Sequence, residues 1–236
     1  MTTRLKAVAP LIVAVGLLAF ALVELVLNFT FHWFTVQDGV FGKLGLPRGL
    51  HLVLPAAFVS WGLFFLLGGN GAAFRRTVVA AGTGTIAAAI LMAAGSATAH
   101  APEFWGLALW AAITAMGVVA LSTTVADDRF APAPAFVCYG TVVCWWYATG
   151  LDNYVPNAKG PGTVDALAQA LASKPLAAGM GAFGGLLSMP WYWVAVSVFV
   201  SLVGGAAVGV ASVRLGGALG RLGSRSTATA DATQAA

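Results

Sequence analysis

Charge is what this chain lacks. Only 8% of its 236 residues are Asp, Glu, Lys or Arg, against about 25% in soluble domains. A water-soluble fold of this length cannot cover itself with so few ionic groups, which excludes soluble enzymes and soluble binding modules. Cysteine is scarce as well. Cys138 and Cys144 lie in one apolar run, about 9 Å apart along a helix, too far for a disulfide without unwinding. Buried free thiols are expected. Catalytic signatures are also missing: there is no Walker loop, dinucleotide fingerprint, HExxH or serine elbow. Ser188 and His51 make no motif. The chain is therefore read as a non-enzyme with no cofactor.

What it has instead is a 59% share of hydrophobic residues, gathered in long continuous runs. About 20 apolar residues suffice for a helix to cross roughly 30 Å of hydrocarbon. Backbone groups in lipid must be satisfied internally, which leaves helices or closed barrels. The runs are continuous rather than alternating, so helices are expected. The predicted fold is all-α, a polytopic transmembrane bundle of about six spans at Ala7–Phe31, Leu50–Gly68, Val78–Thr98, Phe104–Thr124, Ala131–Gly150 and Trp191–Val213. "GGNG" at Gly68–Gly71 and "ADDRFAPAP" at Ala126–Pro134 read as polar turns. The first apolar segment follows Arg4 and Lys6. It is too long for a signal core and has no small-residue cleavage site after it, so it is read as a retained span.

Residues 1–221 are read as one transmembrane domain with an outer segment over 151–190. Within that segment "TVDALAQALA" suits a short amphipathic helix. "PLAAGMGAFGGLLSM" is apolar, bracketed by Pro175 and Pro190, and too short to cross fully. It reads as a partly re-entrant element, or alternatively as an outer lid. Residues 222–236 are small, polar and aperiodic, and are read as a disordered cytoplasmic tail.

The net charge of +4 follows topology. With the N-terminus in the cytoplasm, that side receives Arg4, Lys6, Arg75, Arg76, Arg129, Arg214, Arg221 and Arg225; the other receives Lys43, Arg48, Lys159 and Lys174. The excess marks the cytoplasmic side. Both termini of a multi-pass membrane protein are thus expected there. The cations serve orientation and anionic headgroups, leaving no patch for nucleic acid. Trp33, Trp105, Trp145, Trp146, Trp191 and Trp193 fall near outer ends of spans and are read as an aromatic belt. An aromatic cage for a cationic solute is the alternative.

In lipid, helices associate through small residues that let backbones approach. Ser197, Ser201, Gly205 and Gly209 recur at intervals of four, and Ala80, Gly84 and Ala88 do the same with Thr83 and Thr85 beside them. Both helices are expected to pack tightly, within one protomer or across a homo-oligomer. The stretches around Pro55–Gly95 and Trp110–Gly150 also read as two similar hairpins, a suggestion of an internal repeat.

Glu24 is the acidic side chain well inside a predicted span. A carboxylate at helix centre costs on the order of 3 kcal/mol on insertion scales, so it must face protein, be neutral or touch water. Asn28 and His32 follow at i+4 and i+8, forming a polar stripe. The stripe reads as a hydrogen-bond network tying the first span to Ser60 or Thr83, or equally as a solute or proton path lined by Glu24, Asn28, His32, Ser60 and Thr83. His32, His51 and His100 lie near outer ends without ligand spacing on any one helix, so no metal site is expected.

"SWGLFFLLGGNGAAFRR" (Ser60–Arg76), "GTGT" (Gly82–Thr85) and the Gly184–Gly209 ending resemble the YcdZ-like inner-membrane family of unknown function. The resemblance implies a bacterial inner-membrane protein and brings no substrate or functional residues. The leading functional expectation is a channel or transporter for a small solute. The alternative is a non-transporting membrane subunit or scaffold that binds a partner through small-residue helix faces. Lipid is the expected surrounding in either case.

Overall fold

The computed structural model describes residues 2–29, 50–98, 101, 105–124, 130–149 and 190–234, with backbone alone for 2–7, 122–124 and 223–234. All secondary structure among these residues is helical: α1 (Thr2–Asn28), α2 (Leu54–Leu66), α3 (Gly71–Ala97), α4 (Trp105–Thr124), α5 (Pro132–Ala148) and α6 (Trp191–Gln234). Local chemistry sets the ends. α2 and α5 each start with proline in the first turn, where the missing N–H breaks no helical bond. α2 stops at Gly68 and Gly69, which take φ of 109° and 64°, values that only glycine adopts without strain. Asn70 then caps α3, its side chain accepting from the Ala73 N–H at 2.9 Å.

Three helices are long and apolar enough to cross a membrane: Val8–Asn28 of α1, Gly71–Ala97, and Trp191–Leu222 of α6. Leu54–Leu66 and Trp105–Leu121 are apolar but shorter. At 13 residues, α2 rises about 20 Å, less than the roughly 30 Å of a bilayer core. Apolar side chains cover the outside, among them Phe20, Ile86, Trp105 and Met116. These helices fit a membrane protein in contact with lipid.

Close contacts fix how the helices run. Gly216 and Gly220 of α6 lie against Leu11 and Pro10 near the start of α1, so those two helices are antiparallel. Gly205 meets Ala57 and Gly209 meets Phe64, so α2 and α6 run together. Gly82 faces Phe199, while Gly71 and Phe74 share a cleft with Arg214, which makes α3 antiparallel to α6. α4 begins beside the end of α3, with Gly106 at Thr98 and Leu107 at Gly95. Trp145, near the end of α5, reaches His51 just before α2. Successive helices therefore alternate in direction. Arg75, Arg76 and Arg214 share one end of the bundle; His51, Trp145 and Ser197 lie at the other.

The core sits between α2, α3, α5 and α6, with Trp146, Phe64, Met92 and Leu202 among its largest fully buried side chains. α1 is peripheral: 17% of its most apolar window is buried, against 50% for α3 and for α6. It packs on α6 through Pro10 and Leu11 and on α2 through Leu22 and Val26, which cluster with Ala57 and Trp61.

Residues beyond 222, read as a disordered tail, continue α6 to Gln234; no proline follows Pro190, and alanine among the last residues favours propagation. Trp145 and Trp146, read as belt residues, are buried, Trp146 completely. α5 turns both into the helical core, where their large surfaces pack against neighbours. The expected outer segment at 151–190, re-entrant or lid-like, lies outside the described residues except for Pro190.

Candidate functional site: a buried polar cluster and an exposed acid

At the end of the bundle away from Arg214, residues 51–53 are not helical, and their backbone groups need partners. Hydroxyls of α6 supply them. The His51 N–H donates to Ser197 Oγ at 3.2 Å, and the Val53 N–H donates to Ser201 Oγ at 2.8 Å. Ser201 in turn donates to the Ser197 carbonyl at 2.7 Å. One turn deeper, the Ser60 hydroxyl donates to the Leu202 carbonyl. The small-residue spacing thus does two jobs. Gly205 lets the α2 backbone approach, and the two serines replace the hydrogen bonds that α2 lacks at its entry.

His51 closes the cluster and is 2% exposed. The Trp145 indole N–H donates to its Nε2 at 2.9 Å, and its Nδ1 lies 3.1 Å from Ser197 Oγ. An indole nitrogen only donates, so Nε2 holds a lone pair and the imidazole is neutral with its proton on Nδ1. That proton points at Ser197. His51 therefore offers Ser197 no lone pair with which to take its proton, and the Ser–His contact lacks the geometry of a nucleophile and its base. Both ring nitrogens are engaged by the protein. Among the described residues no three of His, Cys, Asp and Glu come together as a metal site.

The predicted polar path is dispersed among the described residues. Glu24 is exposed on α1. Asn28 Nδ2 donates to the Glu24 carbonyl at 2.8 Å and to Oε2 at 2.9 Å. Ser60 faces α6. Thr83 donates back to Val79 and Ala80 of its own helix and lines an apolar cleft of about 360 Å³ between α3 and α4. His32 and Trp33 lie outside the described residues. Of the remaining belt tryptophans, Trp105 is exposed and Trp191 and Trp193 are half-buried.

The small-residue positions meet neighbours within this chain. A Cβ on Gly84 would stand 2.5 Å from the Ala135 carbonyl oxygen and 2.8 Å from Cys138 Cβ; one on Gly209 would stand 2.5 Å from the Phe64 ring. Sequence reading singled out Ser197 and Ser201 for packing and missed their bonds to His51 and Val53. It also missed the His51–Trp145 pair, whose members are 94 positions apart.

The chain matches no known protein family, no curated protein and no solved structure.

Proposed function

We propose that this chain is a six-span protein of the bacterial inner membrane, with both termini cytoplasmic, that acts as a non-catalytic membrane subunit binding a partner helix along the outer face of α1. The observation that carries this reading is the position of Glu24. It sits exposed on the least buried apolar helix, and ionisable groups at membrane depth need protein or water around them. Of the two carboxylate oxygens Asn28 donates only to Oε2, while Oε1 has no donor among the described residues. A partner helix carrying a hydrogen-bond donor or a cation would complete that shell. Phe20 and Leu17, exposed about one and two turns away, would lie along the same contact.

The seams of α3 and α6 support the same reading indirectly. Their glycines and serines are used against α2 and α5, which leaves the outer faces of α1 and α4 as surface to offer, and Glu24 singles out α1. A route for a solute would need Glu24, Ser60 and Thr83 to line one passage, and these three face different surroundings. The similarity of Ser60–Arg76 to the YcdZ-like family belongs to this proposal and fits an inner-membrane location.

A photo-crosslinking residue at Phe20 in native membranes tests the reading. The expected result is one discrete adduct, weakened severalfold by Glu24→Ala, together with no solute flux in liposomes. Absence of any adduct, or solute uptake by purified protein that Glu24→Gln abolishes, would overturn it.

A further inference from the structure

At the arginine end, α3 and α6 line an open cleft of about 770 Å³. Its walls are Gly71 and Phe74 on one side and Ala207, Val210 and Leu215 on the other, and its one charged lining side chain is Arg214. Arg214 is exposed and has neither an ion-pair nor a hydrogen-bond partner among the described residues. Arg75 and Arg76 follow Phe74 on α3. Along α6, Trp191 and Arg214 are about 35 Å apart at roughly 1.5 Å per residue, close to the thickness of a hydrocarbon core. The guanidinium therefore stands where acyl chains give way to headgroups, with apolar walls beside it.

We infer that this cleft is a binding site for an anionic phospholipid, with Arg214 holding the headgroup phosphate and Phe74, Val210 and Leu215 receiving the glycerol and upper acyl region. A guanidinium matches phosphate oxygens with paired, charge-assisted donors. Basic pockets between helices on the cytoplasmic side are suited to anionic headgroups. A water-borne anion would gain nothing from the apolar walls. The inference is independent of the partner-binding role of α1, because the cleft involves neither Glu24 nor Asn28.

Full-length protein in a neutral detergent is titrated with phosphatidylglycerol or phosphatidylcholine, and retained lipid is counted by native mass spectrometry. Wild type is expected to retain phosphatidylglycerol preferentially. Arg214→Gln should weaken that retention about fivefold, the equivalent of one surface cation, without changing phosphatidylcholine, and Arg214→Lys should restore most of it. Ala207→Phe narrows the cleft at an exposed position, keeps the charge and should also lower phosphatidylglycerol retention. Equal retention of the two lipids by wild type overturns the proposal. So does undiminished phosphatidylglycerol binding in Arg214→Gln or, should that variant not fold, in Ala207→Phe. Displacement of the lipid by millimolar inorganic phosphate would mark a free-anion site and overturn it as well.

Discussion

Trp145 donates its indole N–H to His51 Nε2 at 2.9 Å, joining the end of α5 to the entry of α2 inside the bundle. The bond fixes the imidazole as the neutral Nδ1–H tautomer, which then engages Ser197 of α6. Three parts of the chain are held at one point by side chains that have little access to water.

Trp145→Phe keeps most of the ring volume and removes the donor. His51 Nε2 is left buried and short of that donor, a loss of about 1 to 2 kcal/mol. Thermal unfolding in detergent should show it, and combining the change with His51→Phe should cost less than the sum of the two. Nitrogen NMR on labelled histidine should show a neutral His51 protonated at Nδ1 in the wild type. Strict additivity, or an Nε2–H tautomer, would contradict the cluster.

Ser201 and Ser60 look alike in the sequence and differ in consequence. Ser201→Ala removes the acceptor of the buried Val53 N–H, leaving an orphan donor at a cost of about 1 to 3 kcal/mol. Ser60→Ala removes a donor to the Leu202 carbonyl, which lies within α6, about three turns from its start, and keeps its helical bond. Ser201→Ala should be the more destabilising in the same unfolding assay.

Glycines one position apart in α6 should behave oppositely. A Cβ at Gly205 would collide with the Ala57 carbonyl, whereas one at Gly204 meets nothing within 4 Å. Gly205→Ala forces the helices apart at a cost of at least about 1 to 3 kcal/mol. Gly204→Ala should be neutral or stabilise by about 0.5 to 1 kcal/mol through helix propensity. Equal effects would mean that α2 and α6 are not in backbone contact.

The helical class was legible because charge scarcity and unbroken apolar runs leave few other folds. Boundaries were less so. The second apolar run begins at Leu50, yet the helix begins at Leu54, because Ser197 and Ser201 take the N–H groups of His51 and Val53, Val53 is extended, and Pro55 suits the first turn that follows. "GGNG" was read as a turn, and Asn70 within it proved to be the cap that starts α3 at Gly71, earlier than the hydrophobic pattern placed it. The cluster was illegible for a different reason. His51 meets partners 94 and 146 positions away, and no local spacing encodes such a meeting. Trp145 and Trp146 end an apolar run, a pattern equally suited to a membrane rim and to a core. Which face they share with α3 and α6 depends on helix rotation, which Gly84 against Ala135 helps to set.

The alternation of helix directions carries a topological prediction. Tyr192 and Leu222 are both exposed and lie at opposite ends of the apolar part of α6, about 45 Å apart along its axis. With Cys138 and Cys144 replaced by alanine, Tyr192→Cys and Leu222→Cys each carry a single thiol. A membrane-impermeant maleimide should label Tyr192→Cys in intact spheroplasts and spare Leu222→Cys, and inverted vesicles should reverse the pattern. This orientation is the one expected if the excess of cations, Arg214 and Arg221 among them, marks the cytoplasmic side. Opposite labelling would invert the bundle while leaving its packing intact. Labelling of both thiols from one side would mean that α6 lies on the membrane instead of crossing it. The depth assigned to Arg214 would fail with it, since that depth rests on α6 passing through the hydrocarbon.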